Sequence, residues 1–180
     1  MELIFNPALS AGAQVELALR LLAGLALGAI IGFERELHSQ PAGFRTHSLV
    51  CLGSTIFTVV SGYGFSAVQV DPTRIAAQIV TGIGFVGAGT ILRTQGHVRG
   101  LTTAASLWSV AAIGMAVGAG LYLLAGLGTV LILVVLALLD RVEAFAHSRL
   151  LQSAATGAQA RHLTPEEEEQ ELEGETRNTP

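Results

Sequence analysis

Lysine is absent from this 180-residue chain, and all ten of its basic side chains are arginines. Cysteine occurs once, as Cys51, which excludes an intrachain disulfide and any zinc site built on paired cysteines. Charge is scarce as well: charged residues make up 13% of the chain, against about 25% in ordinary soluble domains. The net charge of −4 arises at one end. Residues 161–180 hold seven glutamates against Arg161 and Arg177, while the first 160 residues carry seven acids and eight arginines. That near balance excludes a nucleic-acid binder on charge. A basic segment before the short apolar run Leu3-Ile4-Phe5 is also missing, and Asn6-Pro7 interrupts the run, so no cleaved signal is expected.

What remains is apolar: 51% of residues are hydrophobic and the mean hydropathy is +0.56. Apolar segments fall at about 15–33, 48–68, 74–92, 102–117 and 121–139. About 20 mostly apolar residues cross a bilayer. The expected architecture is therefore all-α, a polytopic transmembrane helical bundle of about five spans. The last two segments are divided only by Gly118-Ala119-Gly120, so a single interrupted span is the alternative there. Asp71-Pro72 predicts a capped start for the third helix.

Arginine placement orients the bundle. With the N-terminus outside, the cytoplasmic side receives Arg35, Arg45, Arg93, Arg99, Arg141 and Arg149, and the outer side Arg20 and Arg74. The positive-inside rule thus places the C-terminus in the cytoplasm. The domain reading is an outer N-terminal segment at 1–14, a transmembrane domain at 15–140, a juxtamembrane helix at 141–152 and a disordered acidic tail at 153–180.

Glycine is abundant and patterned. Gly24, Gly28 and Gly32 recur every four residues, Gly114 and Gly118 repeat the spacing, and Gly82, Gly84, Gly87 and Gly89 crowd the third segment. Close helix packing at small residues is the preferred reading. A broken or bent helix over Thr81–Thr90, lining an ion path, is the sharper one.

Ionisable groups cluster between the first two segments, in a charged loop over residues 34–47 holding Glu34, Arg35, Glu36, His38, Arg45 and His47. Glu34 and Glu36 suggest a magnesium site, but residues at i,i+2 diverge on a helix and Arg35 offsets their field. Salt bridges to Arg45, Arg93 or Arg99 are expected instead, and no metal site is assigned. His47 and Cys51 stand at i,i+4 without a third orienting group, so no catalytic residue is assigned and an enzyme is not expected. Glu16 and Arg20 form a favourable i,i+4 pair anchoring the first helix. Asp71, Arg74 and Gln78 form an outer-side polar stripe, with Gln78 expected to bond another helix or water, or else a substrate.

Five pieces in order carry a resemblance. They are Gly32-Phe33-Glu34-Arg35-Glu36, Pro41-Ala42-Gly43-Phe44-Arg45-Thr46-His47 and Asp71-Pro72-Thr73-Arg74-Ile75-Ala76-Ala77-Gln78. The last two are Gly82-Ile83-Gly84-Phe85-Val86-Gly87-Ala88-Gly89 and Val98-Arg99-Gly100-Leu101-Thr102-Thr103-Ala104-Ala105. Together they closely resemble the membrane domain of the MgtC/SapB family of bacterial inner-membrane proteins, over about residues 12–140. The resemblance implies a multi-pass domain, an association with magnesium limitation and, in some members, with survival inside host cells. It implies neither an enzyme nor a cofactor. Some members carry a further soluble C-terminal domain, whose functions do not carry over to the acidic stretch here.

The expected function is thus a non-enzymatic inner-membrane protein supporting adaptation to low magnesium, acting on other membrane proteins. A cation transporter or channel lined by the glycine-rich third helix is the alternative. The expected partners are the lipid bilayer and either further copies of the chain or other membrane proteins, with no nucleic acid. The cytoplasmic-face cluster of interest is Glu34, Arg35, Glu36, Arg45, His47, Arg93, Arg99, Thr102 and Thr103.

Overall fold

A computed structural model of the chain describes residues 10–65, 71, 73–94 and 96–138. The juxtamembrane helix and acidic tail expected over 141–180 lie outside the described residues, as do residues 1–9. Five helices appear: α1 (Ala11–Leu37), α2 (Phe44–Tyr63), α3 (Thr73–Thr90), α4 (Leu101–Gly118) and α5 (Tyr122–Leu138). Each apolar segment falls on one of them. Among the described residues, α1 and α4 are long and apolar enough to cross a membrane, and α5 is apolar but shorter. The helix α2 is diluted by Ser48, Ser54, Thr55, Thr58 and Ser61, and α3 by Thr73, Arg74, Gln78 and Thr81.

The charged stretch is mostly helix, which corrects the expectation of a loop from 34 to 47. Glu34, Arg35 and Glu36 occupy the last turns of α1, while Arg45 and His47 belong to the first turn of α2. Glu and Arg are good helix formers, so charge alone does not stop a helix. Ser39 stops it: its left-handed φ of +54° turns the chain, with Ser39 N–H donating to Glu36 O and Gln40 N–H to Arg35 O. Gly43, at the start of α2, has no side chain to cap the helix. The Glu36 carboxylate reaches across the turn instead and accepts from Phe44 N–H at 2.8 Å.

A β-hairpin lies between the third and fourth apolar segments, where Arg93 and Arg99 fall. Its strands are β1 (Leu92–Thr94) and β2 (His97–Arg99), antiparallel, with Leu92 opposite Arg99 and Arg93 opposite Val98. Period-two alternation puts Arg93 and Arg99 on opposite faces of this ribbon. The hairpin enters α4 through Gly100, at a φ of +89°, where any Cβ would collide with the Thr90 carbonyl. That approach admits only glycine.

Two separate helices, α4 and α5, follow. Gly120, at a φ of +80°, donates its N–H to Val117 O, and Leu121 N–H donates to Ala116 O. This is a Schellman closure of α4.

Glycine spacing accounts for how α1, α2 and α4 meet. A Cβ at Gly24 would strike Thr55 Oγ1, one at Gly28 would sit 2.8 Å from His47 O, and one at Gly32 would sit 2.8 Å from Phe44 Cα. On the opposite side, a Cβ at Gly114 would strike Cys51 O and one at Gly118 would lie 2.9 Å from Thr55 O. Two glycine stripes therefore clamp α2, which suits helices in lipid, where close approach supplies the dispersion energy. Cys51, Leu107 and Val110 are fully enclosed as a result.

The helix α3 is different. It is continuous from Thr73 to Thr90, so the broken third helix is not observed. It buries only Ile79, Ile83 and Gly87, and nothing lies within 4 Å of a Cβ added at Gly82, Gly84 or Gly89. The compact unit ends at Val134, and of the second unit only Val135–Leu138 is described.

Candidate functional site

The C-terminus of α1 and the N-termini of α2 and α4 converge on a polar centre. Arg35 leaves the last turns of α1 and is almost wholly buried, with 1% of its surface exposed. Its Nε donates to Glu34 Oε2 at 2.6 Å and its Nη2 to Glu34 Oε1 at 2.8 Å, so the guanidinium fork grips the carboxylate of its own neighbour. Glu34 also pairs with His38 at 3.1 Å.

His47 is completely buried one turn into α2. Its Nδ1 lies 3.0 Å from Gly43 O and its Nε2 lies 3.0 Å from Ser106 Oγ of α4. Ser106 Oγ also lies 2.9 Å from Thr103 O, a second acceptor within reach of its hydroxyl. Gly28 and Gly32 of α1 let the start of α2 come this close, since a Cβ would lie 2.8 Å from His47 O at Gly28 and 3.0 Å from His47 Cβ at Gly32. Two turns on, Thr55 Oγ1 bonds Cys51 O at 2.9 Å and Gly114 O at 3.0 Å, a second polar tie from α2 to α4.

The structure therefore divides the cytoplasmic-face cluster read from the sequence. Arg35, His47 and Thr103 come together in the buried centre, with Glu34 at its edge, while Glu36, Arg45, Arg93, Arg99 and Thr102 are exposed. Glu36 is engaged as the cap of α2. Among the described residues, no ion pair joins Glu34 or Glu36 to Arg45, Arg93 or Arg99. The reason is local: Arg35 and His38 saturate Glu34, and the hairpin splays its two arginines. Also among the described residues, no three His, Cys, Asp or Glu side chains gather as a metal-ligand set.

Sequence reasoning missed Ser106, whose only signal was its place three residues after Thr103 on one helix face. It also understated Arg20. This arginine is 6% exposed and lies at the far end of the α1–α2–α4 bundle. Its Nη1 donates to Gly118 O at 2.7 Å, its Nη2 pairs with Glu16, and its guanidinium lies 5.3 Å from the Tyr63 ring centre. Arg20 thus caps α4 at the end where helix carbonyls and the dipole favour a cation. An arginine inside an apolar run was the available signal, since such groups face the protein interior.

Asp71, Arg74 and Gln78 are all exposed on or before α3. Asp71 Oδ1 accepts from Thr73 Oγ1 at 2.6 Å and from Thr73 N at 2.9 Å, as the expected cap. These bonds hold its carboxyl below the usual aspartate range. Pro72 lies outside the described residues. Gln78 borders an apolar groove of about 390 Å³ between α2 and α3, with Leu49, Phe57, Gly82 and Val86 among its walls. Among the described residues Gln78 has no hydrogen-bond partner.

Comparison with known proteins bears on this arrangement. The sequence model of the MgtC family matches residues 21–145. The chain is 51% identical over 122 residues to "Putative magnesium transporter YhiD" of Escherichia coli K12, covering 64% of this chain and 56% of that protein. It is 52% identical over 115 residues to "Protein MgtC" of Brucella abortus, covering 63% and 47%. To "Protein MgtC" of Salmonella typhimurium it is 48% identical over 115 residues, covering 64% and 48%. The chain spans about half the length of the curated relatives it matches. No solved structure matches it.

Proposed function

The chain belongs to the MgtC family of membrane proteins, and on that premise we propose that it is a multi-pass protein of the bacterial inner membrane supporting adaptation to low magnesium. In this reading it is not an enzyme, and it acts by contacting other membrane proteins or further copies of itself. Its five helices are the five spans, with the N-terminus outside and the C-terminus cytoplasmic. The arginine asymmetry supports that orientation, because it puts Arg35, Arg45, Arg93 and Arg99 on one side and Arg20 and Arg74 on the other.

The observation carrying the reading is that the polar centre is satisfied from within. Glu34 is held by Arg35, Glu36 caps α2, and His47 bonds Gly43 and Ser106. A hydrated magnesium ion takes one or two free carboxylates and keeps several waters. Neither glutamate is free here, and glycine packing closes the core beside them. A contact surface fits this arrangement better than an ion path. The test is deletion of the gene followed by growth and cellular magnesium measurement across a magnesium series. Reduced growth at low supply, restored by the intact chain, is the expected result; unchanged growth and content would overturn it.

A second reading, a cation transporter, is favoured by the α2–α3 groove with Gln78 at its edge. The name of the Escherichia coli relative supports it as well. Purified protein in liposomes would then carry cation flux that Glu34→Ala or Gln78→Ala reduces. Folded protein giving no flux above empty vesicles would refute it.

A further inference from the structure

His47 has two ring nitrogens with different neighbours, and those neighbours dictate where protons reside. A carbonyl oxygen only accepts, so Nδ1, at 3.0 Å from Gly43 O, carries hydrogen whether the ring is neutral or charged. In the neutral ring Nε2 is then a bare acceptor facing Ser106 Oγ at 3.0 Å. Ser106 has a single hydroxyl proton and two acceptors within reach, Nε2 and Thr103 O at 2.9 Å. While the ring is neutral the hydroxyl donates to Nε2. Thr103 O loses nothing essential, because its place inside α4 keeps its helical partner.

When a proton adds to Nε2, the new N–H donates to Ser106 Oγ and the hydroxyl turns its own proton to Thr103 O. No heavy atom has to move and every group stays bonded. A buried histidine with a complete set of partners in only one charge state would be a structural strut. One with a complete set in both can change state without losing a bond.

We propose that His47 is a proton-binding site, and that the proton reverses the hydrogen bond joining α2 to α4 through Ser106. The charged surroundings are few. Burial of the ring is the largest influence and opposes the added charge, the bond to Gly43 O favours it, and from α1 Arg35 opposes it while Glu34 favours it. The helix α4 offers no ionisable side chain, and α3 offers only Arg74 in its first turn. Within α2, Arg45 is exposed and Cys51 is buried one turn further on. The hairpin groups Arg93, His97 and Arg99 are exposed. A proton at Nε2 thus places a second cation beside the Arg35–Glu34 pair and converts the α2–α4 contact into a charge-assisted bond. This inference goes beyond the functional reading and does not depend on it.

The test uses the full chain in phospholipid nanodiscs with nitrogen-15 histidine. Ring nitrogen spectra are followed from about pH 8.5 to about pH 4.5, either side of the ordinary imidazole value of about 6.5. His47→Gln assigns the signal among the five histidines. The expected neutral form is the Nδ1–H tautomer, converting in one step to the doubly protonated ring. Ser106→Ala removes the acceptor of the charged form, and hydrogen bonds to ions outweigh neutral ones. Proton binding should therefore weaken by roughly three- to tenfold, and Ser106→Thr, which keeps a hydroxyl, should restore it. An Nε2–H tautomer, a ring that does not change over the whole range, or an unmoved midpoint in Ser106→Ala would each overturn the proposal.

Discussion

The same substitution, glycine to alanine, should have opposite effects at Gly28 and Gly82, although both lie in glycine-rich helices. At Gly28 the new methyl would sit 2.5 Å from Cys51 Cβ, 2.8 Å from His47 O and 3.2 Å from Ser48 Cα. Comfortable carbon contacts are about 3.5–4.0 Å, so α2 must withdraw by about 1 Å at that turn. Two of the three atoms are backbone and the third is a Cβ, so no side-chain rotation relieves the clash. Overpacking of this kind costs about 1–3 kcal/mol. Helix propensity returns up to about 1 kcal/mol. The rigid contact favours the upper part of the range, for a net loss of about 1–2 kcal/mol. At Gly82 nothing lies within 4 Å, so the propensity gain of up to about 1 kcal/mol stands alone.

Cys51 supplies the assay, being the only cysteine in the chain and fully buried against Gly28. Maleimide labelling in nanodiscs, with reclosing faster than labelling, reads the population in which α2 has left α1. A loss of 1–2 kcal/mol raises that population roughly 5- to 30-fold, so Gly28→Ala should label faster by that factor and Gly82→Ala no faster than the parent. Parent-like labelling of Gly28→Ala, or accelerated labelling of Gly82→Ala, would refute the clamped-helix account.

Arg20→Leu should lose the bond to Gly118 O and the Tyr63 contact, for about 1–3 kcal/mol, read as a lower unfolding midpoint in detergent. Arg20→Lys should recover little, since an ammonium lacks the planar fork that bonds Gly118 and Glu16 together. Asp71 sets an acid limit on the start of α3. Its folded-state acidity lies below the ordinary aspartate value of about 3.9. The cap is therefore complete above that value and is lost as pH falls through the lower, folded-state one. Hydrogen exchange at Thr73–Gln78 should be unaffected by the cap between neutrality and about pH 5, after correction for intrinsic rates. Asp71→Ala should accelerate it throughout, and equal protection in that variant would refute the cap.

Much of the architecture was legible from one-dimensional patterns. Five apolar segments became five helices, and the glycines at 24, 28 and 32 do meet another helix. Composition and periodicity show such features because they are properties of each segment alone. The site was less legible. The residues from Glu34 to His47 read as a loop because charge suggested a boundary, whereas Ser39 and the Glu36 cap decide where the helices end. The hairpin was invisible in six residues split by Gln95-Gly96, too short for a periodic signal.

By itself the sequence determined that the chain is apolar, helical, glycine-patterned and asymmetric in arginine, since each follows from residue type and spacing. Only the tertiary structure decided which glycines are contacts and which stand open, because the neighbour that a glycine meets lies on another helix and is not written in its own segment. It also decided that Arg35 holds Glu34 rather than a distant partner, and that His47 meets Ser106, 59 residues later in the chain. Such pairings depend on how helices are rotated about their axes. That rotation is settled by close packing among several helices at once, and no single segment encodes it.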